Sequence, residues 1–230
     1  MNKTTFNLIA ISIFLMTFSV LLGPFINLSP TVPAVATFAI LGIATFDSWG
    51  LEGKGGTLFL DWISRFSREY RERILHHEAG HFLVAHVLGV RVTGYTLSAW
   101  EALKQKQKGL GGVTFDDVEL LSQFEKGAIT TRILERYYTI WMAGIAAEKL
   151  VYNDYSGGAD DKDKLMGVLK SLGCSVSTCE IKQRFSLLQA KTLIENNYAA
   201  YQALVDTMRE RATVEECGNI LIKQGVKSEK

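Results

Sequence analysis

All four histidines of this 230-residue chain, His76, His77, His81 and His86, fall within eleven positions, and His77-Glu78-Ala79-Gly80-His81 reads H-E-x-x-H. On a helix, positions i and i+4 lie one above the other on one face, so both imidazoles can reach the same ion. Glu78, one step around the helix, then stands beside any water that ion binds. Zinc suits imidazole and carboxylate ligands and keeps a fourth position open in catalytic sites. It lowers the pKa of its water to about 7, so that a glutamate can finish the deprotonation. A motif this short needs context, and here Phe82, Val84, Ala85 and Leu88 give the helix the apolar face that a buried active-site helix requires. His76 points roughly 100° away from His77, and His86 lies more than a turn beyond His81, so both are expected to be packing or hydrogen-bonding residues.

Two histidines leave a catalytic zinc site one protein ligand short. No histidine lies outside this helix, and the extended pattern H-E-x-x-H-x-x-G-x-x-H fails because Val84 and Val87 stand at its Gly and final His. The third ligand is therefore expected to be a carboxylate, with Glu148 and the cluster Asp160, Asp161, Asp163 as candidates.

The elements that must position these groups read as mainly helical. Helical periodicity runs from Trp62 to Leu88 and stops at Gly89. Val90 to Ala99 alternates and is rich in β-branched and aromatic residues, which predicts a strand, with a second strand at Val113–Phe115. Leu120 to Tyr152 is expected to be helical with a break near Gly127, and its small-residue stretch "WMAGIAAEKLVY" suits close helix packing. A loop over 153–159 leads into a further helix that Asp160 or Asp161 can cap, a long helix follows from about Glu180 to Arg211, and "LIKQGVKSEK" ends the chain as a loose terminus.

The N-terminal part has a different character. Between Lys3 and Asp47 there is no Asp, Glu, Lys or Arg, and two apolar runs at about 5–22 and 32–46 are separated by Gly23-Pro24, Pro30 and Pro33. This predicts a transmembrane hairpin. The competing readings are a re-entrant second helix, because the second run is short, and a cleaved leader processed near Ala34–Ala36, which leaves a long gap after the apolar stretch. Lys3 on one flank and Lys54, Arg65, Arg68, Arg71 and Arg73 on the other place both ends on the cytoplasmic side or its organellar equivalent. Cys174, Cys179 and Cys217, an odd number, fit that reducing compartment as free thiols, with a redox-sensitive Cys174 and Cys179 pair as the alternative. Residues 47–61 form a glycine-rich connector without the G-x-x-x-x-G-K-[ST] pattern, so no ATP binding is expected of this chain. A net charge of +1 gives no reason to expect a nucleic-acid partner.

Three stretches, "HHEAGHFLVAHVLGV", "AGIAAEKLVYNDYSGGADDKDKL" and "QAKTLIENNYAAYQALVDTMRERATVE", resemble successive landmarks of the peptidase domain of FtsH-type membrane-anchored zinc proteases. The resemblance spans about residues 70–217 and is most specific at the first landmark. It implies a zincin-like fold, mainly α with a small β element, over residues 62–230, behind the hairpin of residues 1–46. It also implies Zn2+ held by His77, His81 and the aspartate of the turn after the second landmark. That turn overlies Ser156–Asp161 and places the ligand at Asp161, with Asp160 one register off; Gly158 and Lys162 depart from the family pattern there. Glu148 then falls on a neighbouring helix as a residue that orients a zinc-binding histidine, or else as an ordinary helix charge paired with a lysine. The family's ATPase module is missing between the membrane segments and the peptidase-like part, as in ATPase-less relatives of cyanobacterial and plastid membranes. The resemblance thus implies a membrane-bound zinc endopeptidase, Glu78 its general base, facing the cytoplasm or stroma and acting on unfolded or membrane-proximal proteins. An extended substrate is expected to pair with the strand at Val92–Leu97. A non-proteolytic assembly or regulatory factor that keeps the fold, partnering itself or full-length FtsH-type proteases, is the rival reading.

Overall fold

The computed structural model describes residues 3–22, 29, 31–32, 34–35, 38, 68–104, 112–127 and 129–229. The chain divides into two compact units, Met1–Leu60 and Asp61–Lys230.

In the first unit, helix α1 (Lys3–Leu22) covers the first apolar run. Ile11, Ile13, Phe14, Phe18, Val20 and Leu21 are all exposed on it, and Phe14 stacks on Phe18 one turn on. Among the described residues, which omit several side chains of α1, no helix is long and apolar enough to cross a membrane. The second apolar run, apart from a few isolated positions, and the connector at 47–61 lie outside the described residues.

The second unit is mainly helical with one two-stranded sheet. Its elements are α2 (Arg68–Val87), β1 (Val92–Tyr95), α3 (Ala99–Lys104), β2 (Val113–Phe115), α4 (Val118–Glu125), α5 (Thr131–Tyr152), α6 (Ala159–Ser171), α7 (Val176–Asn196), α8 (Tyr198–Arg209) and α9 (Val214–Lys223). α2 and α5 form its centre, and small residues let them approach closely. A β-carbon on Gly80 would stand 2.7 Å from both the Ala143 carbonyl oxygen and Ala147 Cβ, so the crossing tolerates no side chain there. Leu83, Val84, Ala85, Ile140 and Ala146 bury fully beside it, together with Tyr201, Leu204 and Met208 of α8. A second cluster, Tyr138, Met142, Ile145, Leu165, Leu169 and Cys179, fastens α6 and α7 to the other face of α5. Each large apolar side chain withdrawn from water in this way stabilises the fold by roughly 1.5–3 kcal/mol. β1 pairs antiparallel with β2, Tyr95 opposite Val113, with an irregularity between Val92 and Gly94.

Several sequence expectations change. The strand expected over 90–99 is confined to Val92–Tyr95, and α3 takes up its end. Neither Asp160 nor Asp161 caps α6. Gly158, at φ +82°, holds the N-cap position, and both aspartates sit in the first turn, where the helix dipole favours negative charge. The long helix from 180 to 211 breaks at Asn197, whose Nδ2 donates to the Leu193 carbonyl while its own carbonyl accepts from Tyr201 N–H to begin α8. The carboxyl end is not loose. Thr213 and Glu216 form a reciprocal capping box at the start of α9, Val226 is buried, and Glu229 N–H donates to the Val87 carbonyl at the end of α2. Local composition hid this anchorage because its partner lies well over a hundred residues away.

Candidate metal centre

α2 presents His77 and His81 on its buried face, their ring centroids 4.8 Å apart. Each ring is oriented through Nδ1. His77 Nδ1–H donates to Glu148 Oε1 at 2.7 Å, and His81 Nδ1–H donates to the Ile140 carbonyl at 2.7 Å. With both Nδ1 atoms so engaged, the two Nε2 atoms face a common point. Across it lies Asp161 from the first turn of α6, its Oδ2 3.3 Å from His77 Nε2 and 3.4 Å from His81 Nε2. One ligand atom from each of the three residues falls within 4.8 Å of the others. A tetrahedral zinc ion, about 2.0–2.1 Å from each donor, would separate its ligands by about 3.4 Å, so this donor set suits zinc in its chemistry and in the two separations from Asp161 Oδ2. Asp160 and Asp163 are exposed, whereas only 14% of the Asp161 side chain is open to solvent. The structure therefore brings Asp161, and not its neighbours, to the two histidines.

Glu148 is buried on α5, one residue past the small-residue run. Helix α5 ends at Asn153 in the left-handed conformation, which turns the chain back so that Ser156 and Gly157 N–H groups donate to Glu148 at 2.9 and 3.2 Å. Arg73 Nη1 adds a contact at 3.5 Å to its Oε2, while Arg73 itself is held by Asp154 and lies over the Tyr152 ring. Glu148 thus orients His77 through its Nδ1, and among the described residues its cationic partner besides His77 is Arg73 and not a lysine. Two glycines make room for this arrangement. A β-carbon on Gly144 would collide with the His77 imidazole, and one on Gly157 would stand 2.8 Å from Glu148 Oε1.

Glu78 projects one step around α2, half-buried, and its Oε2 accepts the Val113 N–H of β2 at 2.9 Å. Gly112, at φ +117°, packs against the same carboxylate, where a β-carbon would come within 3.1 Å. The backbone that meets Glu78 is thus Val113 of β2 and the preceding Gly112.

The two remaining histidines stay apart from the cluster. His76 Nδ1 pairs with the Tyr201 hydroxyl at 2.8 Å, and burial lowers its pKa. His86 Nε2 is buried without a hydrogen-bond partner among the described residues, and burial lowers its pKa too. Cys174, Cys179 and Cys217 are free thiols.

Sequence reasoning missed the backbone groups that hold the site, namely the Ile140 carbonyl and the Val113, Ser156 and Gly157 amides, since main-chain atoms carry no residue-type signal. It missed Arg73 and also Lys164, whose Nζ lies 3.4 Å from Asp161 Oδ1.

His77 and Asp161 favour one another's charged forms. Burial opposes a charge on His77, but hydrogen bonds to Asp161 and Glu148 outweigh it and push its pKa up to about 10. Burial also raises Asp161, yet the field of His81 and the hydrogen bonds from both imidazoles hold it far below the usual carboxylate range. An incoming zinc ion must therefore displace a proton from His77. Between pH 7 and 8.5 the apparent zinc affinity is expected to rise about tenfold per pH unit, with about one proton released per ion. Calorimetry in buffers of different ionisation enthalpy reads that proton directly, and a pH-independent affinity would contradict the assignment.

The arrangement brings together three groups that could hold a cation, with the Glu78 carboxylate on the same helix. The chain matches no protein-family model and no curated protein.

Proposed function

We propose that this chain is a membrane-anchored zinc metalloendopeptidase resembling the peptidase domain of FtsH-type proteases, hydrolysing unfolded or membrane-proximal polypeptides. The observation that carries the reading is the convergence of His77 Nε2, His81 Nε2 and Asp161 Oδ2, with the Glu78 carboxylate held one step away by Val113 N–H. A purely structural zinc site has no need of that carboxylate.

Zinc, when bound by His77, His81 and Asp161, supplies a Lewis acid that acidifies a water molecule and polarises a peptide carbonyl. Glu78 takes the proton of the attacking water on its carboxylate and delivers it to the departing amine. Val113 N–H and the close backbone of Gly112 keep that carboxylate in one place through the exchange. Glu148 holds His77 in the tautomer whose Nε2 is the ligand atom. An extended substrate passing Glu78 runs along β2.

The anchor reading rests on the charge-free apolar run under α1, on which Ile11, Ile13, Phe14, Phe18, Val20 and Leu21 are exposed. The basic residues that flank the apolar segments support a cytoplasmic or stromal side for the peptidase unit. A connector of residues 47–61 leaves no room for an ATPase module between anchor and peptidase unit, so substrates arrive unfolded or are unfolded by a separate chain.

The test is metal removal. The detergent-purified chain is expected to degrade unfolded casein, to stop when zinc is stripped by a chelator, and to recover with one equivalent of zinc but not of magnesium. Cleavage indifferent to chelation, or a chain that takes up no zinc, would overturn the proposal.

A further inference from the structure

Resting on the peptidase reading, we infer that Arg73 is a positioning residue of the zinc site. It fixes the carboxylate of Glu148, and through it the imidazole of His77, in the orientation that ligation needs. Two helical spacings interlock here. Arg73 and His77 are four residues apart on α2, and Glu148 and Tyr152 are four apart on α5, so each pair shares a helix face. Where the helices cross, the pairs meet. His77 Nδ1 lies 2.7 Å from Glu148 Oε1, and the Arg73 guanidinium lies over the Tyr152 ring, 4.6 Å from its centroid. His76 packs perpendicular to the same ring, with centroids 5.8 Å apart, so Tyr152 is held as well.

A carboxylate that orients a ligand imidazole must itself be kept from turning. In Glu148 the two oxygens divide the work. Oε1 serves His77 and accepts Gly157 N–H at 3.2 Å, while Oε2 accepts Ser156 N–H at 2.9 Å and meets Arg73 Nη1 at 3.5 Å. Both amides belong to the segment that turns back after Asn153, and Arg73 ties that same segment to α2 by placing Nη2 2.8 Å from Asp154 Oδ1. One guanidinium thus touches the carboxylate and fastens the chain whose amides hold it. A lysine could not do both at once, since its single nitrogen has no planar fork to span two carboxylates or to lie flat on a ring. The Glu148 side chain is only 2% exposed, so water is poorly placed to replace a partner that is removed.

The experiment is a double-mutant cycle read by zinc affinity. The full chain in detergent, as wild type, Arg73→Gln, Glu148→Gln and the double variant, competes with a zinc-binding dye at one pH. Direct partners of metal ligands are worth about 10- to 100-fold in affinity. Arg73 acts one step further out, so Arg73→Gln is expected to weaken zinc binding about five- to tenfold, and by less than about twofold once Glu148 is already glutamine. The cobalt-loaded chain gives a separate signature. Its visible absorption bands are expected to shift in Arg73→Gln, because they respond to how the ligands are oriented, whereas a loss of packing alone leaves them in place. Thermal unfolding of the zinc-free chain checks the fold. Should Arg73→Gln not fold, Arg73→Lys carries the same cycle with an expected loss of about threefold. Unchanged affinity, unshifted cobalt bands, or a loss of the same size in the Glu148→Gln background overturns the positioning role while leaving the peptidase reading in place. A wild-type chain that takes up no zinc overturns both.

Discussion

Glu78→Gln is expected to retain its full zinc content and to lose casein cleavage by about 10²- to 10⁴-fold, the usual contribution of a positioned general base. A glutamine side chain has the same shape, and its amide oxygen can still accept the Val113 N–H that Glu78 Oε2 accepts at 2.9 Å. It touches none of the three clustered ligand atoms, so the cation site and the fold around it should be undisturbed. What it cannot do at neutral pH is accept the proton of the attacking water. Zinc per chain by elemental analysis and cleavage of unfolded casein read the two halves of the prediction separately. Full activity in the variant would remove Glu78 from the mechanism. Zinc in both proteins with cleavage in neither would favour the non-proteolytic assembly role.

Asp161→Asn is expected to weaken zinc binding by about 100-fold or more, while Asp160→Asn and Asp163→Asn change it by no more than about twofold. Support residues around metal ligands are worth 10- to 100-fold, and a direct ligand should exceed that range. Asparagine keeps the size of the side chain and can still meet the imidazoles, so α6 should remain docked through Leu165 and Leu169. It offers a neutral oxygen in place of the carboxylate that lies 3.3 and 3.4 Å from the two Nε2 atoms. Competition with a zinc-binding dye measures the affinities, and thermal unfolding checks the fold. An equal loss from Asp160→Asn would shift the ligand by one register.

The comparison of Asp160 with Asp161 also illustrates what sequence can and cannot resolve. Both fall in the first turn of α6, and either satisfies a requirement for a carboxylate ligand. The choice depends on the start of that helix, where Gly158 adopts a positive φ and leaves Asp160 exposed and Asp161 facing α2. A backbone conformation of this kind is set by tight packing, since a β-carbon on Gly158 would also collide with Ile145. Glu148 is a similar case. From sequence it reads equally well as a surface helix charge, and it becomes a support for His77 only because the α2–α5 crossing brings residues 71 positions apart to 2.7 Å.

By itself the sequence determined whatever depends on local spacing. His77 and His81 share a helix face because four residues are close to one turn, and Glu78 stands beside them for the same reason. The Val113–Phe115 strand, the break near Gly127 and the small-residue crossing face of α5 were legible from composition and periodicity over a few residues. What depends on distant partners became visible with the folded chain. It selected Asp161 as the residue opposite the histidines, gave Glu78 a backbone donor from β2, divided the expected 180–211 helix at Asn197 and tied the carboxyl end to α2. The physical reason is that hydrogen bonds to main-chain groups and the burial of one helix against another are settled by where the chain returns, and no short window of sequence contains both partners.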